Sequence, residues 1–348
     1  MVHPFYLFVK YASWIGLRLF FGGISLINEK NIPKNGAVIY APNHQGAFMD
    51  ALLLGVYTRR PVYFLTRADI FKKSFVISIL KSLQMMPIYR LRDGIQSLSQ
   101  NDAVFDACFE ILSKGKGVLI FPEGNHSSEY YLRPISKGAS RLALDAREAL
   151  DPNIKLYIVP TGINYFSHSQ PWAKVKIVFG EAIDAAVYSK LYKEHKQKAY
   201  NKFKEDLAEG MKKTLILATH DENYEAKCEY IFQPKHENLP FEKLKAMGDG
   251  DQFEKRVIDQ PGLMTRLLLS FLLIFNFPPI YVLGNFLKSF KDPAFIISLK
   301  YLAGTLFHIL WWSLLFTLGV IFMGWEAGLL FALTAIVIAF ARQSIKSY

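Results

Sequence analysis

The chain is 348 residues long, 51% hydrophobic and 15% aromatic, and carries a formal net charge of +11. That is enough for one large domain with additional elements, and it holds more apolar residue than a soluble enzyme normally needs. The positive balance implies an anionic partner, the apolar excess favours lipid over nucleic acid, and Cys108 and Cys228, far apart and in no CxxC or Cys/His spacing, argue against a disulfide framework or a zinc site.

The N-terminal stretch from Pro4 to Asn28 is rich in Phe, Trp, Leu and Ile but is interrupted by Lys10 and Arg18, and no basic segment precedes an uncharged core. It fits a signal peptide poorly and predicts a helix associated with the bilayer interface.

From Asn31 to Thr219, short apolar runs alternate with helix-length segments. Strands are expected at 37–41, 61–65, 85–89, 117–121, 156–161 and 175–179, and helices at about 50–58, 75–83, 102–112 and 138–150. The alternation predicts an α/β fold: a mostly parallel sheet flanked by helices. Ligands of such sheets bind beyond the carboxyl ends of the strands. There the sequence brings His44, Arg90, Glu123 with Gly124, and Pro160.

His44 is the natural base, because neutral imidazole accepts a proton near neutral pH and a carboxylate on its other nitrogen fixes the tautomer. Asp50 is the nearest candidate for that carboxylate. Six residues of continuous helix turn through ~600°, so the two side chains would not share a helix face. His44 is therefore expected in a turn, and Asp50 at the start of the following helix. No Gly-x-Ser-x-Gly elbow occurs and neither cysteine adjoins a histidine, which favours direct attack of an acceptor hydroxyl over a covalent acyl-enzyme. Arg90, directly after a strand, suits a phosphate clamp. Glu123, an acceptor-only group, suits a glycerol hydroxyl or the orientation of Arg90. The sequon at Asn125-His126-Ser127 is coincidental, since a glycan there would block the site.

The lysines between Lys190 and Lys204 form the solvated face of a helix, without a nucleic-acid-binding signature. Residues 220–261 form a polar connector with some helix. Leu263 to Leu287 is nearly free of charge, but Pro278-Pro279 interrupts it, which predicts a kinked or re-entrant hairpin. Tyr301 to Ala341 is long enough for two spans of ~20 residues. Met323 to Gly328 makes the tight connection, with Trp325 at interface depth. If both hairpins return to their starting side, Lys288, Lys291, Lys300, Arg342 and Lys346 emerge together, and the positive-inside rule assigns that side to the cytoplasm. His308 reads as a hydrogen-bonded helix histidine.

Four pieces, Asn43-His44 to Asp50, Met86-Pro87-Ile88-Tyr89-Arg90, Phe121-Pro122-Glu123-Gly124 and Val159-Pro160-Thr161, resemble in order and spacing the four blocks of the glycerolipid acyltransferases. The resemblance covers roughly 36–183. It implies His44 as general base, Asp50 as its orienting partner, and Arg90, Glu123, Gly124, Pro160 and Lys137 as substrate-binding residues. The usual first block has four residues between His and Asp. Here there are five, and Gly46 is expected to absorb the extra one. That spacing and the Leu132-Arg133-Pro134 to Lys137-Gly138 continuation are similar to the fungal-type glycerol-3-phosphate acyltransferases, which also carry C-terminal membrane segments.

The expectation is a membrane-bound O-acyltransferase moving a fatty acyl group from acyl-CoA or acyl carrier protein to glycerol-3-phosphate or 1-acylglycerol-3-phosphate. It needs no cofactor beyond the donor substrate and no metal, and its partners are membrane lipids, not nucleic acid. The expected divisions are an N-terminal helix (1–30), the catalytic domain (31–219), the connector (220–261), the membrane hairpins (262–343) and a short tail (344–348). The alternatives are an acyltransferase for another lysophospholipid or aminolipid, and a non-catalytic lipid-binding membrane protein.

Overall fold

The structure is a computed structural model that describes residues 3–89, 100–250 and 262–346. Helix α1 (Pro4–Phe20) begins behind His3, whose ring accepts the Phe5 N–H at 3.2 Å. It stops earlier than expected, and Gly23–Ile27 forms strand β1. Two adjacent glycines, Gly22 and Gly23, make helix continuation unfavourable. A Cβ on Gly22 would meet the Trp172 carbonyl oxygen at 2.0 Å, so only glycine lets this corner approach the neighbouring chain. The segment predicted as one helix over Pro4–Asn28 is thus a helix and a strand, and the sheet begins at Gly23 instead of beyond residue 31.

The order then runs β2 (Ala37–Pro42), α2 (Phe48–Tyr57), β3 (Val62–Arg67), α3 (Ser74–Ser82), β4 (Met85–Ile88), α4 (Gln100–Ser113), β5 (Gly117–Leu119), α5 (Lys137–Ala149), β6 (Leu156–Tyr165), β7 (Lys174–Phe179) and β8 (Ile183–Asp184). Two helices close the unit, α6 (Ser189–Glu194) and α7 (Lys196–Lys212). The sheet order is β1-β7-β6-β2-β5-β3-β4, with β8 beside β6. All pairings are parallel except those of β6 with β7 and with β8.

Side chains alternate across a strand, and β2 shows the consequence. Ala37, Ile39 and Ala41 pack with Phe105 of α4, Leu142 of α5 and Phe203 of α7. Val38 and Tyr40 face the other way, toward Tyr6 and Leu17 of α1 and Met49 and Leu53 of α2. The register pairs Tyr40 with Leu119 and Pro42 with Thr161, so the carboxyl ends of β2, β5 and β6 lie side by side. His44 and the Phe121–Gly124 turn therefore leave the same edge.

Helices α8 (Tyr224–Ile231) and α9 (Phe241–Asp249) belong to the 220–261 stretch. Their Ile231, Phe241 and Leu244 pack on Phe166 and Val178, so this part caps the sheet end as a folded element.

Beyond it come α10 (Leu263–Leu273), α11 (Phe277–Lys288), α12 (Ile296–Met323) and α13 (Trp325–Lys346). By length and composition, the stretches Leu263–Lys288, Pro293–Met323 and Trp325–Ile345 could each cross a membrane. The first folds back on itself. Arg342 Nε donates to Leu269 O at 3.3 Å and Asn276 Nδ2 to Ala335 O at 2.8 Å, so α10 runs antiparallel to α13. Trp312 Nε1 donates to Asn276 Oδ1 at 3.0 Å and Leu283 lies against Gly304, so α11 runs antiparallel to α12. Since α12 and α13 are themselves antiparallel, with a Cβ on Gly319 only 2.5 Å from Gly328 Cα, both ends of the α10–α11 pair lie at one level. This is a helical hairpin. Its tip is Asn276, a buried polar side chain satisfied by Ala335 and Trp312 just before Pro278-Pro279.

Gly324, at φ +92°, makes the turn between α12 and α13, and Trp325 beside it is 64% exposed. His308 Nδ1 lies 2.8 Å from Gly304 O one turn back, the expected helix hydrogen bond. The last helix continues to Lys346, through most of the stretch expected as a tail. The opposite end of the hairpins is anchored on the catalytic domain: Lys300 Nζ donates to Ser169 O at 2.5 Å and Gln343 Nε2 to Pro171 O at 2.8 Å.

Candidate active site

β2 ends in Asn43, whose buried side chain prolongs the strand pairing: Asn43 Nδ2 donates to Ile163 O at 3.1 Å and Asn43 Oδ1 accepts from Ile163 N–H at 2.7 Å. This amide fixes where the chain leaves the sheet, one residue before His44. The His44 main chain is held on both sides, its N–H donating to Glu123 Oε1 at 3.2 Å and its carbonyl accepting from Ser127 N–H at 3.0 Å. Its ring stacks on Phe121 at 3.7 Å between centroids.

His44 Nδ1 lies 2.8 Å from Asp50 Oδ2. The same oxygen accepts from Gly46 N–H at 2.8 Å, and Oδ1 accepts from the Tyr165 hydroxyl at 2.6 Å. Each of these partners donates, so Asp50 is held as an acceptor, His44 carries its proton on Nδ1, and Nε2 is left with a lone pair. Burial holds the His44 imidazole below its ordinary pKa, against the upward pull of Asp50. The ring is therefore neutral, as a base must be.

The extra residue between His44 and Asp50 is not absorbed by Gly46. Ala47 takes the unusual conformation, φ 49° and ψ −120°, and the Met49 N–H donates to Gly46 O at 3.0 Å. Residues 46–49 thus make a tight turn whose first central residue would ordinarily be glycine, a conformation that costs a non-glycine residue about 1–3 kcal/mol. Gly46 is required for a different reason: a Cβ there would lie 2.6 Å from the Tyr165 hydroxyl oxygen and 2.9 Å from Asp50 Oδ1. Asp50 is the third residue of α2, in the first helical turn as predicted.

Glu123 stands elsewhere than expected. Its side chain is 2% exposed and pairs with Arg133 at 2.5 Å, while its other oxygen takes the His44 N–H. Burial pushes the Glu123 carboxyl up to about 7 despite Arg133. One oxygen takes the His44 N–H and the other Arg133, so the carboxylate braces His44 and Arg133. Arg133 also donates to Asn125 O and, at 3.5 Å, to His44 O, which ties the loop to the base. Gly124, at φ +75°, closes the Phe121–Gly124 turn with its N–H 3.1 Å from Phe121 O.

Lys137 opens α5 and is exposed, beside Ser136, whose N–H donates to Pro122 O at 2.7 Å. Pro160 does not join the cluster. Its ring packs against Gly180 and Gly210, and its carbonyl accepts from Gly180 N–H at 2.8 Å, so its contribution is packing behind the sheet. Arg90 and Arg92 lie outside the described residues. The strand end before them is pinned by Asn101, which exchanges hydrogen bonds with the Tyr89 main chain at 2.9 and 2.8 Å.

Sequence reasoning missed Tyr165, Asn43, Arg133 and His126. The His126 ring lies edge-on to His44 at 5.5 Å, with its Nε2 2.8 Å from Asp292 Oδ2. Burial raises the Asp292 carboxyl, but hydrogen bonds from His126 and the Ala294 N–H outweigh it and leave the group below its ordinary value. Both thiols are pushed up by burial, Cys108 to about 12 and Cys228 to about 11, so neither supplies a thiolate nucleophile. Among the described residues no group of three or more His, Cys, Asp or Glu side chains could hold a metal.

A partly buried, carboxylate-oriented imidazole at the carboxyl edge of an α/β sheet is the arrangement that general-base chemistry needs. Residues 23–164 match the family model described as Acyltransferase, so this part of the chain is an acyltransferase-family domain. It is 26% identical over 172 residues to a 1-acyl-sn-glycerol-3-phosphate acyltransferase of Bacillus subtilis, covering 49% of this chain and 78% of that protein. It is 32% identical over 103 residues to glycerol-3-phosphate O-acyltransferase 2 of Saccharomyces cerevisiae, covering 29% of this chain and 14% of that protein. A crystal structure of a 1-acyl-sn-glycerophosphate acyltransferase from Thermotoga maritima aligns with a TM-score of 0.41 at 19% identity, covering 59% of this chain and 78% of that one. The family read from the four sequence blocks is borne out.

Proposed function

We propose that this membrane enzyme transfers a fatty acyl group from an acyl thioester to the free hydroxyl of glycerol-3-phosphate or 1-acylglycerol-3-phosphate. The observation that carries the reading is the His44–Asp50 contact at 2.8 Å with Nε2 left as the base. His44 Nε2 takes the hydroxyl proton as the oxygen attacks the thioester carbonyl, and Asp50 stabilises the imidazolium that forms. The tetrahedral oxyanion is steadied by the main-chain N–H groups of Asn125 and His126, which follow the Phe121–Gly124 turn. Its collapse breaks the C–S bond, and the imidazolium returns the proton to the leaving thiolate.

The donor is acyl-CoA or acyl carrier protein, both anionic, which suits the net charge of +11. Arg90 and Lys137 are assigned to the phosphate of the acceptor, with the Glu123–Arg133 pair holding the loop between them. A small apolar recess, lined by Val9, Phe48, Leu52, Phe64 and Met85 and open to the outside, is assigned to the first part of the acyl chain. It opens beside α1, whose Phe8, Tyr11 and Ile15 are exposed and suited to the bilayer interface. Lys288, Lys291, Lys300 and Arg342 lie toward the catalytic end of the hairpins, and the positive-inside rule supports a cytoplasmic catalytic domain.

The names of the relatives support a glycerol-phosphate acceptor, and the five-residue spacing with the yeast match supports glycerol-3-phosphate itself. The test offers purified protein both acceptors side by side, each with acyl-CoA and with acyl carrier protein donors. Transfer to glycerol-3-phosphate establishes the first acylation. Transfer only to the monoacyl acceptor reassigns the enzyme to the second, and no transfer to either overturns the reading.

A further inference from the structure

The acyltransferase match ends at residue 164, yet the contact that braces the catalytic turn comes from far outside it. Ser298, in the first turn of α12, is 2% exposed. Its hydroxyl donates to Gly46 O at 2.8 Å and accepts the Met49 N–H at 3.0 Å, bridging the two ends of the turn that holds Ala47 at positive φ. Gly46 in turn donates its N–H to Asp50 Oδ2. Helix α12 thus grips the residue whose N–H sits against the carboxylate orienting His44.

The neighbours of Ser298 reinforce the grip. Ile297 is fully buried and Tyr301 nearly so, both within the core formed by α1 and α2, and the Tyr301 ring meets Phe20 at 5.4 Å. From the loop just before α12, Asp292 and Phe295 bracket the His126 ring on the other side of His44. A hydroxyl suits this place, since the one group donates and accepts at once.

We propose that the start of α12 is part of the catalytic apparatus, with Ser298 as a positioning residue that acts through the Gly46–Met49 turn on Asp50 and His44. The membrane hairpin then holds the base in register as well as anchoring the enzyme. This rests on the reading of His44 as the base.

The test uses the full chain in detergent or nanodiscs, with the acyl thioester and glycerol-phosphate acceptor that support turnover. Ser298→Ala is expected to lower kcat by ~10- to 100-fold, as for a catalytic group displaced by a fraction of an ångström, with KM for both substrates within about twofold. Adding Ala47→Gly to Ser298→Ala should restore most of the loss, because glycine holds the turn without a brace. Unchanged kcat in Ser298→Ala, alongside an inactive His44→Ala, overturns the proposal. So does a loss that Ala47→Gly does not restore and that tracks a lowered melting midpoint, which assigns Ser298 to packing alone. An active His44→Ala would sink the underlying reading of the site instead.

Discussion

The Tyr165 hydroxyl donates to Asp50 Oδ1 at 2.6 Å while the other oxygen of that carboxylate receives His44 and Gly46. Tyr165 is fully buried, at the end of β6, so its ring position is set by the sheet. Tyr165→Phe leaves Asp50 Oδ1 buried without a partner, a loss of about 1–3 kcal/mol. Steady-state kinetics should show kcat lower by ~10-fold or more with KM for both substrates little changed. A kcat equal to wild type would mean that Asp50 needs no third support.

The acid limb of the activity profile follows from the base. Only neutral His44 accepts the proton, and burial lowers its pKa below the ordinary imidazole value of 6.5 in spite of Asp50. Activity should therefore rise with pH through an apparent pKa below 6.5 and stay high through neutrality. Removing the carboxylate charge with Asp50→Asn should lower both the maximum and the midpoint of that limb, since Asp50 raises the His44 pKa. A wild-type midpoint above 6.5 would contradict the assigned environment.

Gly46→Ala tests the crowding around the turn. The new Cβ would lie 2.6 Å from the Tyr165 oxygen and 2.9 Å from Asp50 Oδ1, so the carboxylate must shift from His44. The expected result is a loss of activity of ~100-fold or more in protein that still purifies as a folded species. An active Gly46→Ala enzyme would show that the 46–50 geometry is not required.

Glu123→Gln separates support from substrate binding. The change weakens the Glu123–Arg133 pair and loosens the loop around His44. Thermal unfolding should show a lower midpoint together with a fall in kcat. If only KM for the acceptor rises and the midpoint holds, Glu123 touches substrate after all.

The sequence made the sheet legible where apolar runs were short and bounded, as at 37–41 and 117–121, and it made the base legible because Asn43-His44 leaves a strand and Asp50 enters a helix. Gly23–Ile27 was hidden by the apolar, aromatic stretch before it, and its strand character depends on β7, far along the chain. The antiparallel pairing of β6 with β7 has no local signal either. Tyr165 and Ser298 act through partners distant in sequence, so no spacing rule exposes them; Arg133 lies only ten residues from Glu123, but nothing local signals their pairing. Ala47 was overlooked because glycine is the usual owner of positive φ; here a strained alanine is held by a hydroxyl from the membrane hairpin. The helical hairpin was readable from Pro278-Pro279, but the role of Asn276 at its tip needed the facing helices.

The account rests on His44 as the base of acyl transfer, and the most direct measurement is the single-turnover rate of His44→Ala against wild type, with a saturating acyl thioester and glycerol-phosphate acceptor. General-base catalysis contributes ~100- to 10,000-fold, and the variant should lose at least that much while binding both substrates as before. A His44→Ala enzyme that transfers acyl groups at the wild-type rate would contradict the mechanism.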